Sequence, residues 1–169
     1  MAGSADLHLP VTGAFALPFA GYFIFLSERV GLARIAHQVA LGDRVPSSSS
    51  SSPPASASAS SDGPASSPHP LNPAPGSNDP LLQVTRAHQN FAENVPLALL
   101  LAAVAELNGA SRGRLAGLLG ALLAFRVLHA ELGIMRRDGM GIGRRVGFFG
   151  TIGVVAWLGS WSTWLVFRG

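Results

Sequence analysis

The sequence contains no cysteine and no lysine, and only 12% of its 169 residues are charged. Without cysteine the chain can form no disulfide framework and has no thiol nucleophile, so any thiol chemistry must come from a bound small molecule. The charged fraction is about half of the roughly 25% that is usual in globular domains, whereas 48% of the residues are hydrophobic. These absences exclude a disulfide-stabilised secreted domain and favour an integral membrane protein.

Long apolar segments account for most of the hydrophobic residues. No formal charge occurs in residues 9–26 or 146–167, and each segment is long enough to cross a hydrocarbon core of about 30 Å. We predict an all-α protein, a bundle of four transmembrane helices with spans at about 9–33, 81–107, 115–134 and 146–167. No basic residue precedes the first apolar run, so we expect the first span to be retained rather than cleaved as a signal peptide.

The segment at 46–80 has a different composition, since it is rich in serine, proline and alanine. Such a sequence buries too little apolar surface to offset the entropy of ordering it. We therefore predict one membrane domain over residues 1–169, interrupted by a disordered insert at 46–80.

The basic residues are all arginine, and they give a sequence pI near 11.0. They are dispersed near the helix ends and form no basic face, which favours a membrane over a nucleic-acid partner. The loops at 34–80 and 135–145 hold more arginine than the opposite side, which predicts that these loops are cytoplasmic. Both termini are then expected on the non-cytoplasmic side of the endoplasmic reticulum or another inner membrane.

The second span begins with a polar face. Arg86, Asn90 and Glu93 are spaced i, i+4 and i+7, so they share one side of a helix. Ionisable groups inside a membrane are expensive unless they face the bundle interior, a cavity or a ligand, so this face is a candidate functional site. Pro96, which follows, has no N–H to donate to the carbonyl of Ala92, and we expect a kink there.

Further ionisable side chains fall at the same predicted depth on the other three spans, namely Arg34, Arg126, His129, Arg144 and Arg145. Arginine cannot lose its proton to relieve burial, and cations outnumber acids at this level. The surplus favours an anionic ligand with carboxylates held by bidentate pairs. The alternative is that Arg126 with Glu131, and Arg86 and Glu93 with partners on other helices, form structural ion pairs without a ligand.

Two other groups have simpler interpretations. Glu28 and Arg29, near the end of span one, are expected to anchor the helix at the membrane interface. The three tryptophans, Trp157, Trp161 and Trp164, are expected to form an aromatic belt.

The pattern Arg-x-x-x-Asn-x-x-Glu-x-x-Pro, here Arg86, Asn90, Glu93 and Pro96, resembles the second-helix motif of the MAPEG family, the membrane-associated proteins of eicosanoid and glutathione metabolism. Supporting matches follow in the expected order: Val30 and Arg34 ending span one, Gly42-Asp43 in the next loop, Arg126 and His129 in span three, and Arg144 or Arg145 opening span four. The chain resembles the microbial-type members that are similar to microsomal glutathione transferases.

The resemblance implies a homotrimer of four-helix subunits with lumenal termini, whose active sites open between subunits near the cytoplasmic face. It implies glutathione as co-substrate, no metal, and a lipophilic small molecule as second substrate. The residues it assigns to glutathione binding are Arg34, Arg86, Asn90, Glu93, Arg126 and His129. Arg144 or Arg145 would stabilise the thiolate as the catalytic arginine, and the resemblance does not distinguish the two.

One departure from the family pattern concerns tyrosine. Eicosanoid-making members carry a tyrosine after the position of His129, whereas this chain has Ala130-Glu131-Leu132-Gly133, and we expect no tyrosine nearby. The departure argues against a leukotriene or prostaglandin synthase. It favours a glutathione-dependent transferase or peroxidase acting on lipophilic electrophiles or lipid hydroperoxides. The alternatives are a non-catalytic lipid-binding or partner-binding protein on the same scaffold and, less favoured, an ion or proton pathway.

Overall fold

The computed structural model describes residues 8–41, 79–136 and 141–168. These residues form four long helices: α1 (Pro10–Ala36), α2 (Pro80–Leu107), α3 (Arg112–His129, extended by a π-helical turn at Ala130–Ile134) and α4 (Ile142–Arg168). Each is long and apolar enough to span a membrane. The predicted all-α four-helix fold is confirmed. The insert, apart from residues 79 and 80, and the Gly42-Asp43 match lie outside the described residues.

Two helices begin with different N-terminal caps. Asp79 precedes α2, and its carboxylate accepts hydrogen bonds from the N–H groups of Leu81 and Leu82 at 2.9 and 3.2 Å, as expected of an N-cap aspartate. Helix α1 follows Leu9, which provides no side-chain cap. Its first N–H groups are instead satisfied by Glu106, from the last turn of α2. The two ends are therefore joined by a tertiary cap.

That cap is short and charged. Glu106 accepts from the N–H of Val11 at 2.7 Å and from the N–H of Thr12 at 2.8 Å. A carboxylate also interacts favourably with the positive end of the helix dipole. The contact fixes the start of α1 beside the end of α2.

The apolar core lies between the helices. Helix α1 packs mainly against α2, and α3 packs mainly against α4. The core residues that all four helices contribute include Phe19 and Leu26, Phe91 and Ala98, Leu115 and Leu122, and Val154 and Leu158. Helix α2 continues without a break through Pro96.

Glycines bring α4 unusually close to α3. A Cβ atom added at Gly143 would lie 2.5 Å from the carbonyl oxygen of Leu128, and one added at Gly147 would lie 2.5 Å from the carbonyl oxygen of Phe125. The two glycines are four residues apart and share one face of α4, the spacing that allows close approach of membrane helices. As a result the start of α4 contacts the end of α3, where the predicted polar side chains are.

Candidate functional site

A buried arginine lies at the centre of the polar layer. Arg126 on α3 is 3% exposed. Its Nη1 donates to the side-chain Oδ1 of Asn90 at 2.5 Å and to the Asn90 carbonyl at 3.3 Å. Its Nη2 donates to the carbonyl of Gly147 at 3.0 Å. Arg126 therefore joins α2, α3 and α4, and the predicted alternative of an Arg126–Glu131 ion pair is wrong.

The contact with Arg126 sets the orientation of Asn90. Because the side-chain carbonyl of Asn90 is taken by the guanidinium, the amide N–H groups are what this side chain can offer a ligand. The main-chain carbonyl of Asn90 also accepts from Nδ2 of Asn94 at 2.8 Å. Asn90 is half-buried, so it stands between the interior and the outer face of α2.

His129 is held by the main chain of α4. It is 4% exposed, and its Nδ1 lies 2.9 Å from the carbonyl oxygen of Arg144. With a carbonyl as its partner, Nδ1 must carry the proton and donate. The resulting ring orientation leaves Nε2 as the nitrogen available to a second group.

The remaining predicted site residues lie on the outer surface of the single chain. Arg86 and Glu93 flank Asn90 and are exposed, and Arg144 and Arg145 are exposed at the start of α4. Nη1 of Arg86 donates to Oε1 of Gln89 at 3.4 Å.

Arg34 lies in the last turn of α1. It is half-buried, and its Nη1 donates to the carbonyl of Ala40 at 3.2 Å. Among the predicted site residues, direct contacts thus join Asn90 to Arg126 and His129 to Arg144. Among the described residues, no hydrogen bond or ion pair joins Arg34, Arg86, Glu93 or Arg145 to these four side chains.

A second polar cluster was not predicted. Glu131, in the π-helical turn, pairs with Arg29 of α1, whose Nη1 lies 2.6 Å from Oε1 of Glu131. The hydroxyl of Tyr22 donates to the same oxygen at 3.3 Å, and the Arg29 guanidinium lies over the ring of Phe25. Arg29 therefore has a partner on another helix, which was not predicted, whereas Glu28 is exposed. The expectation that the two residues anchor the helix at the membrane interface stays a prediction.

The same contact corrects the interpretation of the missing tyrosine. The expectation that no tyrosine lies near residues 130–133 is wrong, because Tyr22 reaches Glu131 from another helix. The lack of a tyrosine within residues 130–133 therefore does not exclude an eicosanoid synthase. A sequence signal for this cluster was present, since Tyr22 and Arg29 are seven residues apart and therefore share one face of α1. π-Helical turns inside α-helices are also frequent at functional sites.

Four membrane-spanning helices with a polar layer near one end define an integral, multi-pass membrane protein of the four-helix-bundle class. A scan against protein-family models matches the MAPEG family over residues 12–164, and the chain belongs to that family. No curated protein matches the sequence. Membership makes this a membrane protein related to glutathione and eicosanoid metabolism.

Proposed function

We propose that this protein is a glutathione-dependent membrane transferase or peroxidase that acts on lipophilic electrophiles or lipid hydroperoxides. The observation that carries the proposal is the buried contact between Arg126 and Asn90, beside the exposed Arg86 and Glu93 of the family motif. A guanidinium buried among neutral acceptors keeps its positive charge, which favours an anionic ligand at this layer.

Each part of glutathione has a matching group in the proposed site. Glu93 pairs with the ammonium of the γ-glutamyl residue, and Arg34 and Arg86 pair with the two carboxylates. Asn90 donates its amide N–H groups to the peptide. In this arrangement Arg126 acts through Asn90 and does not touch the ligand, whereas His129 presents Nε2.

The thiolate is the reactive species. A guanidinium beside the glutathione thiol favours its ionised form, and Arg144 or Arg145 supplies it. The thiolate sulfur attacks the electrophilic carbon of a lipophilic substrate and either displaces a leaving group or adds to a polarised double bond, which then takes up a proton. With a hydroperoxide, two glutathione molecules are oxidised to the disulfide while the substrate is reduced to an alcohol and water.

The exposure of Arg86, Glu93, Arg144 and Arg145 on the single chain supports a site completed by a neighbouring subunit. We propose a homotrimer with its termini on the non-cytoplasmic side, as the family resemblance implies. The exposed charges of this layer then face a neighbouring subunit or the ligand rather than lipid.

Glutathione binding to the detergent-purified full chain tests the proposal. Glu93→Gln should weaken binding about tenfold to a hundredfold, the effect of losing a charged hydrogen bond worth about 1.5–3 kcal/mol. Glu28→Gln alters a glutamate of α1 that is also exposed; it is the matched control and should bind like the wild type. Binding is measured by calorimetry and by the gain in thermal stability with millimolar glutathione. A wild type that shows neither signal would refute the proposal.

A further inference from the structure

A second concave feature lies away from the polar layer, between α3 and the C-terminal half of α4. It is a groove of about 600 Å³ whose lining includes Arg114, Gly153, Ala156, Trp157, Trp161 and Trp164. The groove opens at the end of the bundle that carries the α2–α3 turn, whereas the polar layer lies towards the opposite end. It contains none of the predicted glutathione-site residues.

The length of the groove matches one leaflet of a bilayer. Gly153 and Trp164 are separated by 11 residues of helix, which corresponds to about 16 Å, and half of a hydrocarbon core is about 15 Å. The inner end of the groove is open, because a Cβ atom added at Gly153 would meet nothing within 4 Å. Trp157 is 63% exposed and Trp164 50% exposed, so both rings present apolar surface to the groove.

Positive charge is concentrated at the outer end of the groove. Arg114 lines it, and the guanidinium of Arg168 lies 4.6 Å from the ring centroid of Trp164. Arg112, two residues before Arg114 on α3, is a third cation at this end of the bundle, and its charge interacts with Glu106. Among the described residues, Glu106 is the acidic residue at this end of the bundle. Its carboxylate already accepts hydrogen bonds from the first N–H groups of α1.

We propose that this groove binds an anionic phospholipid, with the headgroup phosphate on Arg114 and an acyl chain along the three tryptophans. The length of the groove and its apolar surface fit an acyl chain in one leaflet. The cation at the interfacial end, Arg114, fits an anionic headgroup. An arginine near a membrane surface favours anionic over zwitterionic lipid by about fivefold. This site is separate from the proposed glutathione site.

Tryptophan fluorescence reports directly on the groove, because the protein has three tryptophans and all of them line it. The full chain is placed in nanodiscs of phosphatidylcholine doped with either dibrominated phosphatidylglycerol or dibrominated phosphatidylcholine. Bromine quenches tryptophan at contact distance. At equal mole fractions, half-maximal quenching should need about fivefold less of the anionic lipid, the preference expected for one arginine.

Arg114→Gln should abolish the headgroup preference, whereas Arg112→Gln, a neighbouring exposed cation outside the lining, should retain it. Arg114→Lys keeps the charge and should retain it too, which separates loss of charge from misfolding. Equal quenching by the two lipids in the wild type would overturn the proposal. Protection from both lipids would also overturn it, because a second copy of the chain would then cover the groove. Neither result depends on glutathione binding.

Discussion

Adding one methyl group at Gly147 should separate α4 from α3 and disturb the buried arginine. A Cβ atom there would lie 2.5 Å from both the Cβ of His129 and the carbonyl oxygen of Phe125. Ordinary contact between such atoms needs about 3.5 Å, so α4 must move by about 1 Å. The carbonyl of Gly147, now 3.0 Å from Nη2 of Arg126, would then lie beyond hydrogen-bond range.

The energetic effect follows from three contributions. Overpacking a tight contact costs about 1–3 kcal/mol, and loss of a hydrogen bond to a charged donor costs about 1.5–3 kcal/mol. Alanine is favoured over glycine inside a helix by about 1 kcal/mol, which offsets part of the loss. We expect Gly147→Ala to destabilise the bundle by about 1.5–5 kcal/mol.

The assay is the thermal unfolding midpoint in detergent, with Gly153→Ala as the matched control. Gly153 lies on the same helix, and a Cβ atom there meets nothing within 4 Å, so the control should be unchanged or slightly stabilised. A loss of about 2–4 °C per kcal/mol is expected for a chain of this size. Equal midpoints for the two variants would refute the inference that α4 touches α3 at Gly147.

Two further predictions concern contacts between helices. Glu106→Ala removes the half-buried carboxylate that caps α1 and should lower the free energy of unfolding by about 1–2 kcal/mol. The control Glu28→Ala should have little effect. Equal losses of stability for the two variants in thermal unfolding would contradict the tertiary cap. Arg29→Gln and Glu131→Gln should show a coupling energy of about 0.5–1 kcal/mol in a double-mutant cycle, a modest value because both side chains are about one-third exposed. Additive losses would mean that the pair is not a stabilising link.

The four spans could be predicted from the sequence alone because hydrophobic length is a local property. A predominantly apolar segment of sufficient length partitions into the membrane whatever its packing partners are. The predicted spans therefore lie within a few residues of the observed helices. The sequence also predicted that Arg86, Asn90 and Glu93 share one face, because helix periodicity fixes which residues of a single helix lie on the same side.

Only the tertiary structure decided which polar groups meet. Arg126 could have paired with Glu131 by sequence spacing, yet it bonds to Asn90 and Gly147, and Glu131 pairs with Arg29. The register between helices selects among these partners, and that register depends on backbone contact at the glycines of α4 and on the π-helical turn that carries Glu131. Both are properties of packed helices, because a close approach exists only when two surfaces are brought together.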